Sequence, residues 1–355
     1  MYTRFGDNDI VTRQAQELVT STWTNNTNNL QVAFTASSQA DFTTATSSGQ
    51  FFIEVFNEVT SSTSAEVQYA LAYGNRLGSG SPDFTNDTGS FGLGASRVIY
   101  NQYRQLHYND DTTNFMFGTH IPDHIYVINV NRTRYKQRLT LGSLNLHISG
   151  TVSGISSESM KNVELTDDSV TNGQFADSNL GPVFRIVSGT NGVVSGSVTN
   201  QITINGSSSN FGNFYPQAGL IILNGDAFGT SSLGTGSLAP RTSSGDSSNT
   251  DRNNRRLFNH ISAAGHFIVD TTEEINSQFY FVRARNDQYN YTNNDSFVDS
   301  SNNIRFDSMK LNPKVFITTV GLYNDAFELL GVAKLSQPVT KDFTKEALIR
   351  VKLDY

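Results

Sequence analysis

The sequence predicts an α+β chain that is mainly β, in which an α+β base domain formed by both chain ends carries an inserted antiparallel β-sandwich or barrel-like domain. Three observations carry this expectation. At 355 residues the chain is long for one domain and short for three, so two packed units are expected. Between Gly142 and about Thr250, short apolar runs are separated by Gly, Ser and Asn, the spacing of a compact antiparallel β-domain. Near the end, Val315–Leu322 and Leu329–Leu335 flank the polar turn Asn324-Asp325. That composition predicts a hairpin, because Asn and Asp tolerate the positive φ of a tight turn.

Taken in order, Asp7 to Thr20 places Ile10, Val11, Leu18 and Val19 near helical spacing with Asp7 or Asp9 as N-cap, which predicts a short helix. Phe51–Phe56 reads as a buried strand. Ser64 to Tyr73 reads as a helix capped by Ser64, with Val67, Ala70 and Leu71 on one face and Gly74 as C-cap glycine. Gly74–Gly94 reads as a loop, and Ser96–Leu106 as a helix facing inward through Val98, Ile99, Tyr103 and Leu106. Ile125–Val130 is an apolar strand, followed by the cations Arg132, Arg134, Lys136 and Arg138.

Within the inserted region the strand candidates are Leu144–Ile148, Val183–Val187, Gln201–Ile204 and Gly219–Leu223. Residues 225–256 have little to bury and much backbone entropy to lose, which predicts a long, flexible surface arm. From Leu257 strands are expected again, with Gln278–Ala284 clearly alternating. Gly321 inside the first hairpin strand marks a bulge or a close backbone approach, and Pro338 breaks the second. A third run, Ala347, Ile349, Val351, Leu353 and Tyr355, alternates with polar or exposed-type residues, so the chain is expected to end tied into a strand of the same sheet. The expected domains are thus 1–141 with 257–355, and 142–256 between them.

Charged residues are only 16% of the chain, the deficit being filled by Asn, Ser, Thr and Gly. Such a surface suits a protein covered by neighbours in an assembly; a secreted all-β protein rich in Thr and Asn would share it. Twenty-four Phe and 14 Tyr supply aromatic area for cores or interfaces. A net charge of −7 gives no basic footprint, so no nucleic-acid partner is expected. The absence of cysteine excludes disulfides, thiolate zinc sites and a cysteine nucleophile. The opening MYTRFGDNDIV has no apolar core of a signal peptide, and no run approaches 18 apolar residues, so no membrane partner is expected.

His120 and His124 stand four apart, a metal-ligand spacing on a helix, but Pro122 lies between them. Asp7-Asn8-Asp9, Asp110-Asp111 and Asp167-Asp168 could offer hard oxygen ligands, yet none has calcium-loop spacing and solvated loops are the simpler reading. Ser79 lacks the spacing of a nucleophile elbow, the glycines from Gly74 to Gly94 form no phosphate cradle, and Glu273-Glu274 would face opposite ways on a strand. No catalytic residue, metal or cofactor is therefore expected. On a strand, Arg132, Arg134, Lys136 and Arg138 would share one face, which suits either docking onto an acidic neighbour or a blunted strand edge.

The string Ile317-Thr318-Thr319-Val320-Gly321-Leu322-Tyr323-Asn324-Asp325, followed by Leu329-Leu330-Gly331-Val332, resembles a hairpin of virion structural proteins from contractile-tailed bacteriophages. That hairpin occurs in tail-fibre attachment regions and in large structural proteins of marine, T4-like phages, cyanophages among them. Two further blocks are similar to the second group. One runs from Gln68 to Gly74 and continues through Leu77–Ser81 and Ile99–Arg104; the other is Ile125 to Lys136. The resemblance covers roughly the first 150 and last 80 residues. It implies a myovirus virion protein of the baseplate or tail-fibre attachment region, assembled in the host cytoplasm as part of a symmetric oligomer. The implied partners are other phage tail and baseplate proteins, with Arg132, Arg134, Lys136, Arg138, Gly321, Leu322 and Tyr323 as interface candidates. A neck or head-surface virion protein, a carbohydrate-binding host-recognition β-protein and, third, a glycan depolymerase are the alternatives.

Overall fold

The computed structural model describes residues 3–6, 8–27, 35–36, 52–58, 61–80, 95–150, 161–195, 202–229, 238, 253–291 and 294–355. Strands β1 (Ile10–Ser21), β2 (Thr35–Ala36), β3 (Phe52–Phe56) and β4 (Val67–Asn75) precede helix α1 (Ala95–Tyr108). Then come β5 (His124–Val130), β6 (Arg138–Leu139), β7 (Asn145–Gly150), β8 (Lys161–Asp167), β9 (Ala176–Ser178) and β10 (Gly181–Thr190). They are followed by β11 (Val193–Val194), β12 (Ile202–Ile204), β13 (Ser207–Ser209), β14 (Gly212–Tyr215), β15 (Leu220–Asn224) and helix α2 (Asn253–Ala264). The last elements are β16 (Phe267–Ile268), β17 (Asp270–Ala284), the short helix α3 (Asp307–Leu311), β18 (Val315–Tyr323), β19 (Leu329–Lys341) and β20 (Ala347–Asp354). The chain is mainly β, as expected.

Two compact units result: one is Leu18–Glu273, the other combines Met1–Glu17 with Glu274–Tyr355. The boundaries differ from those expected at 141/142 and 256/257, and the reason is strand pairing. β5 lies between β4 and β15, with Ile128 opposite both Leu71 and Ile221, so strands from the first 141 residues and from 142–256 share one sheet. That antiparallel sheet has twelve strands in the order β16-β7-β8-β10-β14-β15-β5-β4-β3-β2, with β9 and β11 also on β10.

The middle strands read as continuous apolar runs because both of their faces are buried. On β5, Tyr126, Ile128 and Val130 enter one core with Leu257, Phe258 and Ile261 of α2. Ile125 and Val127 enter a second core with Ile99, Tyr100 and Tyr103 of α1. β4 obeys the same period of two: Tyr69, Leu71 and Tyr73 face the α2 side and Ala72 the α1 side. This corrects the expected helix over Ser64–Tyr73; burial of alternate aromatics outweighs the helix propensity of the two alanines. Gly74 is accordingly no helix cap. A Cβ there would lie 2.9 Å from the Tyr100 backbone nitrogen, so glycine lets α1 approach the strand.

Two other expectations change. The segment read as a helix from Asp7 contains β1, whose residues 10–13 and 15–19 are exposed; it has no buried helical stripe to stabilise a helix and pairs with β17 instead. From Leu257 the chain continues in α2, not in a strand. Of the expected arm at 225–256, Gly225–Gly229 forms a short 3-10 turn, and Leu238 is buried, its carbonyl accepting from the Tyr126 hydroxyl at 3.0 Å. Residues 230–237 and 239–252 lie outside the described residues, as do 81–94 of the glycine-rich loop.

In the other unit, β20 pairs with β17 over Ser277–Ala284, and Tyr355 exchanges two backbone hydrogen bonds of 3.0 Å with Asn276. β18 and β19 form the expected hairpin, but as a separate two-stranded sheet, so the three terminal strands are not one sheet. The two sheets meet through Val320, Leu322, Ala333 and Leu335 on the hairpin and Tyr280, Val282, Ile349 and Val351 opposite. β19 runs on through Pro338 to Lys341, with a register shift opposite Ile317 to Thr319 that accommodates the missing N–H.

Candidate functional site

Arg132, Arg134, Lys136 and Arg138 do not line a strand face. Asn131 turns the chain: its Oδ1 accepts from the Thr133 backbone N–H at 3.0 Å and hydroxyl at 2.8 Å, and its carbonyl accepts from the Arg134 N–H at 2.8 Å. The Arg132 guanidinium folds onto the Tyr135 ring, 4.7 Å from its centre, and donates to the Tyr135 carbonyl at 2.7 Å. Arg134 Nη1 donates to Glu66 Oε2 at 2.7 Å and to Thr24 Oγ1 at 2.6 Å. The Thr24 hydroxyl, and then Arg134, hold the Glu66 carboxyl below its usual range. Lys136 Nζ lies 4.0 Å from Glu273, and Arg138 belongs to β6, pairing with Thr272. The alternation in sequence reflects a turn stapled to its own unit.

His120 and His124 also part company. His120 closes a tight turn with Phe117, and its Nε2 meets Asp226 Oδ2 at 2.9 Å. His124 begins β5, with Nδ1 2.6 Å from the Tyr73 hydroxyl and 2.9 Å from Asn75 Nδ2. Burial pushes the His124 pKa down, against the pull of Asp226 and Asp123. Among the described residues no group of three or more His, Asp or Glu side chains could hold a metal ion.

Asp167 and Asp168, expected to be solvated, are fully buried. Asp167 accepts from the Gly142 N–H at 2.8 Å, from the Leu144 N–H at 3.3 Å and from the Ser169 hydroxyl. Asp168 accepts from the Arg185 N–H at 2.8 Å and faces its guanidinium at 3.5 Å. Burial raises the Asp167 pKa against these donors. The pair ties the turn before β7 to β10; its only sequence signal was its position directly after the apolar β8. Asp110 is a turn residue of the expected exposed kind, held at a pKa of about 2 by the Thr113 and Thr112 hydroxyls and N–H groups.

Gly321, Leu322 and Tyr323 occupy the end of β18. Leu322 points into the unit's core, whereas Gly321, opposite Val332, and Tyr323 are exposed. The turn is longer than Asn324-Asp325: Asn324 and Glu328 close it with backbone and side-chain hydrogen bonds, and the positive φ of 64° falls on Phe327. Around it Phe327, Leu329, Leu330 and Val332 are each more than half exposed, Leu330 at 70%. One side of the hairpin thus builds the unit's core while the other presents an apolar patch with a strained aromatic at its tip.

No protein-family model, curated protein or solved structure matches the chain. Among the described residues no helix is long and apolar enough to cross a membrane.

Proposed function

We propose that this chain is a structural subunit of a contractile-tailed phage virion, in the baseplate or tail-fibre attachment region, and that it acts by protein–protein assembly and not by catalysis. The observation that carries the reading is the exposed apolar side of the β18–β19 hairpin, made by the same residues whose sequence resembles the phage hairpin. A patch of large apolar side chains around Leu330 and Val332 is costly to leave in water, and covering it with a neighbouring subunit removes that cost. Tyr323 and Phe327 add the rigid aromatic contacts that dominate interface energies. Tail and baseplate proteins of the same particle are the partners this reading names.

The test is genetic and structural. In a phage carrying this gene, mass spectrometry of purified particles should find the protein in tails. Leu330→Asp with Val332→Asp should leave the isolated protein folded but keep it out of particles. Absence of the wild-type protein from virions, or normal incorporation of the double variant, would sink the proposal.

A further inference from the structure

We propose that His147 and His266 form an acid-operated latch, holding β16 on β7 while neutral and releasing it when the pair takes up a proton. The inference stands apart from the virion reading and lies wholly within the Leu18–Glu273 unit. The two imidazoles lie with centres 4.1 Å apart and planes tilted by 32°, and the His147 backbone N–H donates to the His266 carbonyl at 2.9 Å. One buried side chain serves both rings. Asn145 places Oδ1 3.1 Å from His147 Nε2 and Nδ2 3.0 Å from His266 Nε2. Its Nδ2 also donates to Asn191 Oδ1 at 3.2 Å.

A carboxamide between two imidazoles sets their proton count. Its oxygen only accepts, so His147 Nε2 carries a hydrogen; its nitrogen only donates, so His266 Nε2 presents a bare lone pair and that ring holds its proton on Nδ1. Turning the amide over exchanges the roles of the rings but not the count, because one of them must still present a bare nitrogen. A proton on that nitrogen sets N–H against N–H at buried Asn145 and adds a positive charge beside the second ring. Burial and the neighbouring His266 push the His147 pKa down, against the pull of Glu164. Glu164 reaches His147 from β8 as its cross-strand partner, but it is exposed and already accepts from the Thr190 hydroxyl at 2.9 Å. From α2, His260 meets the Ser149 carbonyl through Nδ1, and β16 itself carries no charge. β16 is short, pairing with β7 only at Phe267–Leu146 and Ile268–Asn145, and Gly265 at φ 63° turns the chain between α2 and β16. What opposes release is the burial of Phe267, whose carbonyl accepts from the indole N–H of Trp23 at 2.9 Å. Release therefore carries Trp23 towards water.

Amide hydrogen exchange of the full chain at pH 7 and pH 5, corrected for the intrinsic rate at each pH, tests this. Protection of the His147 amide and of β16 should fall about tenfold or more at pH 5, while that of β5 holds. The chain has one tryptophan, so acrylamide quenching of Trp23 fluorescence should rise over the same range. His147→Gln and His266→Gln should each keep protection at pH 5 near its pH 7 level, because a neutral amide removes the conflict over the proton. Asn145→Asp supplies a carboxylate that accepts from both charged rings, so it should move the opening to lower pH. His107→Gln, on the α1 side of the sheet, should leave the opening where it is. Equal protection of His147 at the two pH values would overturn the proposal. So would a fall that persists in both glutamine variants, or an Asn145→Asp chain that opens at the wild-type pH. Circular dichroism at pH 7 checks that each variant is folded, and the wild-type comparison with Asn145→Asp decides the matter if a glutamine variant is not.

Discussion

The rings of Tyr69 and Phe267 lie edge to face with centres 5.4 Å apart, although their strands β4 and β16 stand near opposite ends of the sheet order. The sheet must therefore curl until its two ends approach, and Trp23 is wedged at the meeting point. Its ring centre is 5.0 Å from that of Phe267, and its indole N–H donates to the Phe267 carbonyl at 2.9 Å. Because all three rings are buried, Phe267→Ala should cost about 3–5 kcal/mol and Trp23→Ala a similar amount, read from urea unfolding followed by circular dichroism. A loss below about 1 kcal/mol would mean that the closure contributes little.

Deleting residues 151–256 and joining the ends should abolish the fold of the Leu18–Glu273 unit. The deletion removes β10, β14 and β15 and the first residues of α2, leaving one long edge of β5 unpaired. Native-like far-ultraviolet dichroism and a cooperative thermal transition in the deletion product would contradict the single-sheet account.

In the other unit the terminal strand separates buried from exposed positions cleanly. Ile349 is buried and Leu353 is 45% exposed. Ile349→Ala should cost roughly 2–5 kcal/mol and Leu353→Ala less than about 1 kcal/mol in the same unfolding assay. Gly321→Val belongs with the mild changes. Its new Cβ would lie 2.9 Å from Tyr323 Cε2, the far edge of an exposed ring that can swing away.

Stability should fall on acidification through His107. The ring is buried against Tyr108, Phe115 and Tyr215, and its Nδ1 lies 3.0 Å from the Tyr215 hydroxyl. Burial lowers its pKa from 6.5 to about 4. Between those values the unfolded chain binds the extra proton, so stability present above pH 6.5 is lost progressively towards pH 4, by about 3 kcal/mol. Unfolding curves at pH 7 and pH 4.5 should show the loss in the wild type, and His107→Gln should reduce it. Equal pH dependence in both proteins would remove His107 from the account.

Strands with period-two burial were legible wherever apolar residues ran unbroken, as in Ile125–Val130 and Gly219–Leu223. The sequence misled where alanine or wide spacing imitated a helix, at Gln68–Tyr73 and Ile10–Val19, because the deciding partners lie far along the chain. α2 was hidden by its polar opening, Asn253-Asn254-Arg255-Arg256, three residues of which are buried in the structure. The cation run was visible as composition, but the turn that disperses it depends on Asn131 and on acids at Glu66 and Glu273. The exposed side of the terminal hairpin was not legible, since alternation alone does not say which sheet will cover which face.

The position of β5 between β4 and β15 has a consequence for how the chain is made. About ninety residues separate the end of β5 from the start of β15. At a synthesis rate of roughly 5–20 residues per second, the nascent chain must wait on the order of 5–20 s with Ile125–Val130 ready on one side and its second neighbour not yet made. During that interval a ribosome-bound chain offers a bare, very apolar strand to any other nascent copy nearby. Slowing translation between codons 131 and 220 should therefore raise the fraction of aggregated protein in the cell, while slowing it after codon 284 should not.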